Sequence, residues 1–203
     1  DAYAVYDVRE GAVRLLRQGE SAPRYHTLYA RRSDAYVDIL DPEVTDAFLR
    51  STYEPYYARF SERFGKEFLG FFTDEPQYYR YATPLPNVAA AEYEKAYGTP
   101  LKEELLYLFL DGEKGYPFRV RYYNLLSRLY CENYYRKLYD WCEAHGCMLT
   151  GHSVEETKLY TQMWGCAGCT PSYEYEHIPG IDNLARNGSA KLSARQVGSA
   201  AGQ

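Results

Sequence analysis

The chain has no long apolar run, no concentrated positive charge and no cysteine framework, and each shortage removes a class of function. No apolar segment approaches the roughly 18 residues of a membrane-spanning helix, and no basic-then-apolar leader opens the sequence. A soluble chain with no membrane partner is therefore expected. Lys and Arg number 23 against 28 Asp and Glu, for a formal charge of −5, and the longest basic cluster is Arg31-Arg32. Nucleic acid is not expected as a partner on that charge pattern, whereas a neutral or weakly charged ligand is. The five cysteines, Cys131, Cys142, Cys147, Cys166 and Cys169, are an odd count without the spacing of a secreted disulfide scaffold. Reduced thiols and a cytoplasmic location are the reading, with an exported parent protein left open. Cys166-Ala167-Gly168-Cys169 is half of a zinc or redox motif, but no second pair of that spacing supplies the remaining ligands of a structural zinc site.

What the chain has in excess is tyrosine, with 24 copies. An aromatic ring with a polar tip serves half-buried packing and also the face of a sugar, and packing accounts for most of them. The most informative stretch is Lys66-Glu67-Phe68-Leu69-Gly70-Phe71-Phe72-Thr73-Asp74-Glu75-Pro76. The run from Phe68 to Phe72 contains no polar residue, which predicts a strand buried on both faces, as in a parallel sheet covered by helices. Pro76 has no amide hydrogen and favours extended angles at Glu75, so the strand is predicted to stop there and present its acids at its C-terminal end. Active sites of α/β folds sit at such ends.

Around this stretch, residues 3–8 and 12–17 predict a hairpin and Tyr25 to Ala30 a third strand. Asp41-Pro42-Glu43 supplies an N-cap, a first-turn proline and a first-turn acid for a helix running to about Phe64, closed by Gly65. Short helices are expected near Val88–Tyr97 and Leu101–Leu110, and a long one from Pro117 to His145, capped by Gly146. Cys147 to His152 predicts a second strand ending in polar chemistry, trailed by Glu155 and Glu156. A helix around Lys158–Trp164 leads to a third predicted strand from Cys169 to His177, weakened by Pro171, then to the Pro179-Gly180-Ile181-Asp182 turn and a helix from Ser189 to about Ala201. Strands alternating with helices, with acids at successive strand ends, predict an α/β chain forming part of a (β/α)8 TIM barrel. At 203 residues, against the roughly 250 of a complete barrel, residues 1–203 read as a single domain, a barrel fragment incomplete at both ends. Its unpaired strand edges predict a homodimer.

Glycosidic hydrolysis needs one protonated carboxyl group to assist the leaving oxygen and one ionised carboxylate to attack or to activate water. Glu75 suits the first role. Asp74 points to the other side of the strand, where it holds the site together or contacts a cation. His152 can donate to sugar hydroxyls. Glu155, Glu156, Glu174 and Glu176 supply either a second catalytic carboxylate or hard oxygen ligands for calcium, and Tyr173 lies among them as a sugar-binding candidate. A solvated acidic face is the plain alternative for Glu155 and Glu156.

Tyr36 to Glu43, Tyr53 to Phe64, Gly65-Lys66, Gly70 to Pro76, Thr150-Gly151-His152 with Glu155-Glu156, and Pro179 to Asp182 together resemble the α-L-rhamnosidase-like glycoside hydrolases of family 106, over about residues 25–201. The resemblance implies a (β/α)8 catalytic domain, inversion at terminal α-linked L-rhamnose or a similar deoxy sugar, and a calcium ion near the substrate. It makes Glu75 the general acid, with Asp74, His152, Glu155 or Glu156, and Asp182 lining the sugar or ion site. It also implies a further acid-bearing strand after the last helix as the source of the base, so the chain alone is expected to be inactive. Two other classes fit the sequence: a non-catalytic carbohydrate-binding barrel, and a thiol metal or redox protein built on Cys142, Cys147, Cys166 and Cys169.

Overall fold

In the computed structural model, which describes residues 2–34, 36–78, 82–182 and 191–202, the chain runs β1 (Ala4–Arg9), β2 (Ala12–Leu15), β3 (His26–Leu28), α1 (Pro42–Phe48), α2 (Glu54–Phe60), β4 (Gly70–Asp74), α3 (Ala89–Tyr97), α4 (Leu101–Glu104), α5 (Tyr116–Tyr130), α6 (Arg136–Ala144), β5 (Met148–His152), α7 (Leu159–Gly165), β6 (Ile178–Pro179) and α8 (Lys191–Ala200). It clusters into two compact units, Asp1–Tyr36 with Leu85–Leu125, and Val37–Pro84 with Leu126–Gln203. No helix among the described residues is long and apolar enough to cross a membrane. The expected start of the last helix at Ser189 lies outside the described residues.

In the first unit, β1 pairs antiparallel with both β2 and β3. Glu10 and Gly11, at φ 49° and 76°, are the two left-handed residues that let the hairpin turn in step with the twist of its strands. Tyr6 is fully buried with Ala4 and Leu106, and its hydroxyl donates to the Lys102 carbonyl oxygen at 2.7 Å. Each large side chain buried in this way contributes about 1.5–3 kcal/mol.

The second unit holds a parallel sheet in the order β4-β5-β6. Asp41 caps α1 as expected, its carboxylate accepting the Glu43 amide at 3.0 Å. The single helix predicted to Phe64 is instead broken by a π-helical segment, Leu49–Tyr53, and ends in a 3-10 turn, Ser61–Arg63. Pro55, near the start of α2, cannot donate to the preceding turn, and the backbone widens just before it. A second π segment, Cys131–Tyr135, shifts the register of the long helix so that Tyr130, Cys131, Tyr134 and Tyr135 are all buried.

Three expectations are corrected here. The partial barrel is not formed: among the described residues there are six strands in two separate three-stranded sheets, with no closed barrel. β1, β2 and β3 satisfy one another in an antiparallel hairpin sheet and do not extend the parallel series. β4 is not buried on both faces, because side chains pack over only one of them. Phe71 stacks on Tyr53 with ring centroids 3.8 Å apart, while Phe72, on the other face, is 61% exposed. The predicted strand from Cys169 to His177 is mostly a 3-10 helix, Thr170–Tyr175, since the fixed φ of Pro171 suits a helix start; the strand itself is only Ile178–Pro179. Just before it, the His177 amide donates to the Leu149 carbonyl and its imidazole Nδ1 accepts the Leu149 amide, both at 2.9 Å.

Candidate active site

β4 and β5 run in register with Asp74 opposite His152 and Thr73 opposite Gly151. A Cβ added to Gly151 would lie 2.2 Å from the Thr73 carbonyl oxygen, so only glycine admits this approach, and it brings the two strand ends together. One residue further, the Glu75 amide donates to the His152 carbonyl oxygen at 3.2 Å. Glu75 is not extended, as Pro76 predicted, but adopts φ 45°. The reversal is imposed from behind: the Pro76 carbonyl accepts the Tyr130 hydroxyl at 2.6 Å, and the Tyr78 amide donates to Gly165 at 3.0 Å. A non-glycine residue held there carries about 1–3 kcal/mol of strain, the kind of backbone cost that clusters at functional sites.

His152 is largely enclosed, its side chain 13% exposed, and its Nε2 lies 3.1 Å from Asp74 Oδ1. The Phe72 ring stands edge-on to the imidazole at 5.6 Å. His152 Nδ1 is buried with no hydrogen-bond partner among the described residues. Asp182, from the segment after β6, completes the cluster. Carboxylate oxygens of Glu75 and Asp182 and a ring nitrogen of His152 lie within 4.8 Å of one another.

Glu156 holds this arrangement. It is 3% exposed, and its two carboxylate oxygens accept the Ser153 amide at 2.9 Å and the Asp182 amide at 3.1 Å, tying the loop after β5 to the segment after β6. Burial pushes its carboxyl above the usual range, while the two backbone amides and nearby His152 pull it back. Glu176 is 5% exposed, and neither of its oxygens has a hydrogen-bond partner among the described residues. Burial pushes its pKa up to about 8, helped by the neighbouring Glu156 charge and opposed by the Gly180 amide and Ser172 hydroxyl, which lie nearby without reaching bonding geometry.

Of the residues singled out from the sequence, Glu75, His152 and Asp182 come together, and Asp74 and Glu156 each touch a member of that group. Glu155 is exposed, at φ 57°, with its carbonyl accepting the Thr161 hydroxyl at 2.8 Å. Tyr173 is buried with its hydroxyl enclosed. Glu174 is exposed whereas Glu176 is buried, so these two do not converge as calcium ligands. Glu75, His152 and Asp182 form the one group of three His, Cys, Asp or Glu side chains among the described residues close enough to hold an ion. Two carboxylates and an imidazole suit a transition metal better than calcium, which takes six to eight oxygens. Sequence reasoning missed Gln162, which is 1% exposed; its Nε2 donates to the Glu156 carbonyl at 2.8 Å and its Oε1 accepts the Cys169 amide at 3.3 Å. Nothing in its helical context marks it as a hub.

Compared with protein-family models, with curated proteins and with solved structures, the chain finds no match.

Proposed function

We propose that the protein is a glycoside hydrolase acting on terminal α-linked L-rhamnose or a similar deoxy sugar, with Glu75 as general acid. The observation that carries this reading is the meeting of Glu75, His152 and Asp182 beyond the carboxyl ends of β4 and β5, within 4.8 Å. Two carboxyl groups in one place provide a proton donor and a negative charge to face a developing oxocarbenium ion, and the imidazole holds the exposed Asp74 carboxylate as an acceptor for a sugar hydroxyl. Phe72, exposed beside His152, offers an aromatic face to the apolar side of a sugar ring. The likeness of Gly70 to Pro76, Thr150 to His152 and Pro179 to Asp182 to the α-L-rhamnosidase-like enzymes adds to the reading.

In this mechanism Glu75 protonates the glycosidic oxygen as the bond to the anomeric carbon breaks. His152 fixes the exposed carboxylate of Asp74, which accepts a ring hydroxyl. The closeness of Asp182 to Glu75 falls short of the roughly 6.5–9.5 Å that inverting enzymes keep for a water between their carboxyl groups. Asp182 is therefore assigned to stabilising the sugar's charge or to attacking it, not to activating water across the ring; with this second acid inside the chain, the reading gives turnover to the chain itself, in place of the inactivity expected from a missing base. Calcium is not used in any step, since the donor set fits it poorly.

The test is to incubate the protein with a nitrophenyl α-L-rhamnoside while measuring L-rhamnose binding by calorimetry. Binding with turnover that depends on Glu75 supports the reading. Binding without turnover assigns the site to carbohydrate recognition alone, and neither binding nor turnover contradicts both.

A further inference from the structure

Cys166 and Cys169 close the turn that follows α7. Both side chains are fully buried, and their sulfur atoms stand 3.7 Å apart. Between them, Ala167 at φ 55° and Gly168 at φ 109° adopt positive φ, curling the chain so that the two sulfurs meet. Glycine accepts such a backbone freely; alanine does not, so the turn holds strain that a turn without a reason to close would shed. Burial by itself accounts for two small side chains in a core. It does not account for sulfurs facing each other across a strained backbone. Among the described residues the pair belongs to no group of three or more ligand side chains.

We propose that Cys166 and Cys169 are a reversible redox pair that closes to a disulfide when a small peroxide reaches it. The hydrogen bond with Cys166 and burial push the Cys169 thiol up, so Cys166 attacks a peroxide oxygen as the thiolate; the O–O bond breaks, and the departing hydroxide takes the proton that Cys166 gave up, leaving a sulfenic acid and water. The second sulfur then attacks the sulfenic sulfur, its proton leaves with the departing hydroxide as water, and the S–S bond forms. Overall two thiols are oxidised by two electrons and one hydrogen peroxide is reduced to two waters. Closure needs the sulfurs to move from 3.7 Å to about 2.05 Å, a side-chain adjustment within a turn already bent the right way. A small oxidant is required because neither sulfur is exposed.

A chain of hydrogen bonds also runs from the turn to the candidate active site. Gln162 joins the Cys169 amide to the Glu156 carbonyl, at 3.3 and 2.8 Å, and Glu156 in turn holds the Asp182 amide. The redox pair stands on its own geometry, however, and does not depend on the reaction proposed above.

The experiment exposes the folded full chain to hydrogen peroxide, alkylates the remaining thiols after denaturation, and maps the linked and alkylated peptides by mass spectrometry. The expected result is the loss of two of the five free thiols, with Cys166 joined to Cys169, and their recovery on adding dithiothreitol. The Cys166→Ser variant, treated in the same way, is expected to lose none of its remaining thiols to a disulfide. Retention of all five thiols in the native chain, or a link formed at Cys142 and Cys147 with Cys166 and Cys169 alkylated, overturns the proposal.

Discussion

The backbone amide of Asp182 donates to the buried carboxylate of Glu156 at 3.1 Å, and the Ser153 amide occupies the other oxygen at 2.9 Å. One side chain thus anchors two loops that follow different strands. Removing it strands two amides that have no other partner among the described residues, and a buried unsatisfied donor costs about 1–3 kcal/mol. Glu156→Ala is expected to lower stability by about 2 kcal/mol or more in chemical denaturation. Glu156→Gln keeps one acceptor and is expected to fall between that variant and the wild type. An unchanged denaturation midpoint in both variants contradicts the anchoring role.

The raised pKa of Glu176, about 8, fixes the sign of a stability change with pH. The folded state binds the Glu176 proton more tightly than the unfolded chain does. Its contribution is therefore complete below the ordinary Glu value of 4.5 and is lost as pH rises toward 8. Stability is expected to decline across that window by at most about 1.4 kcal/mol per pH unit for this one group. Denaturant titrations at several pH values should show this slope, and Glu176→Gln should flatten it. The same slope in wild type and variant rules out Glu176 as its source.

Backbone strain at Glu75 separates stability from function. Glycine accepts φ 45° at little cost, so Glu75→Gly is expected to match the wild type or exceed it by about 1 kcal/mol while removing the acid. A clearly lower melting temperature for Glu75→Gly would show that the carboxylate stabilises the fold and that strain is not being released.

Gly151 tests the approach of the strands. An alanine methyl would meet the Thr73 carbonyl oxygen at 2.2 Å, and forcing β4 and β5 apart is expected to cost about 1–3 kcal/mol and to displace Glu75 from His152. Wild-type stability together with wild-type sugar binding in Gly151→Ala contradicts the close-approach argument.

Local chemistry was readable from the sequence; long-range closure was not. Asp41-Pro42-Glu43 forecast its cap because capping depends on a few adjacent residues, and Gly146, at φ 68°, ends its helix as expected. The strand ends bearing Asp74 and His152 were also legible, because an apolar run stops at polar residues in both. Whether three parallel strands join a barrel depends on how many strands pair and with which partners, and no local pattern encodes that. Phe72 reads as core because whether a strand's second face is covered is a tertiary property. Residues 169–177 misled because Pro171, unfavourable inside a strand, is favourable at a helix start. Glu174 and Glu176 looked equivalent in the sequence, and only the packed chain exposes one and buries the other.

Proton donation by Glu75 is tested most directly by the leaving-group dependence of hydrolysis. Rates for a series of aryl α-L-rhamnosides, from methoxyphenyl to dinitrophenyl, are compared between the wild type and Glu75→Gln. The expected result is a loss on the order of 10²–10⁴-fold for the poorest leaving group, shrinking toward none for the best, which departs without a proton. A loss of the same size across the whole series, or no loss at all, contradicts the assignment of Glu75 as general acid.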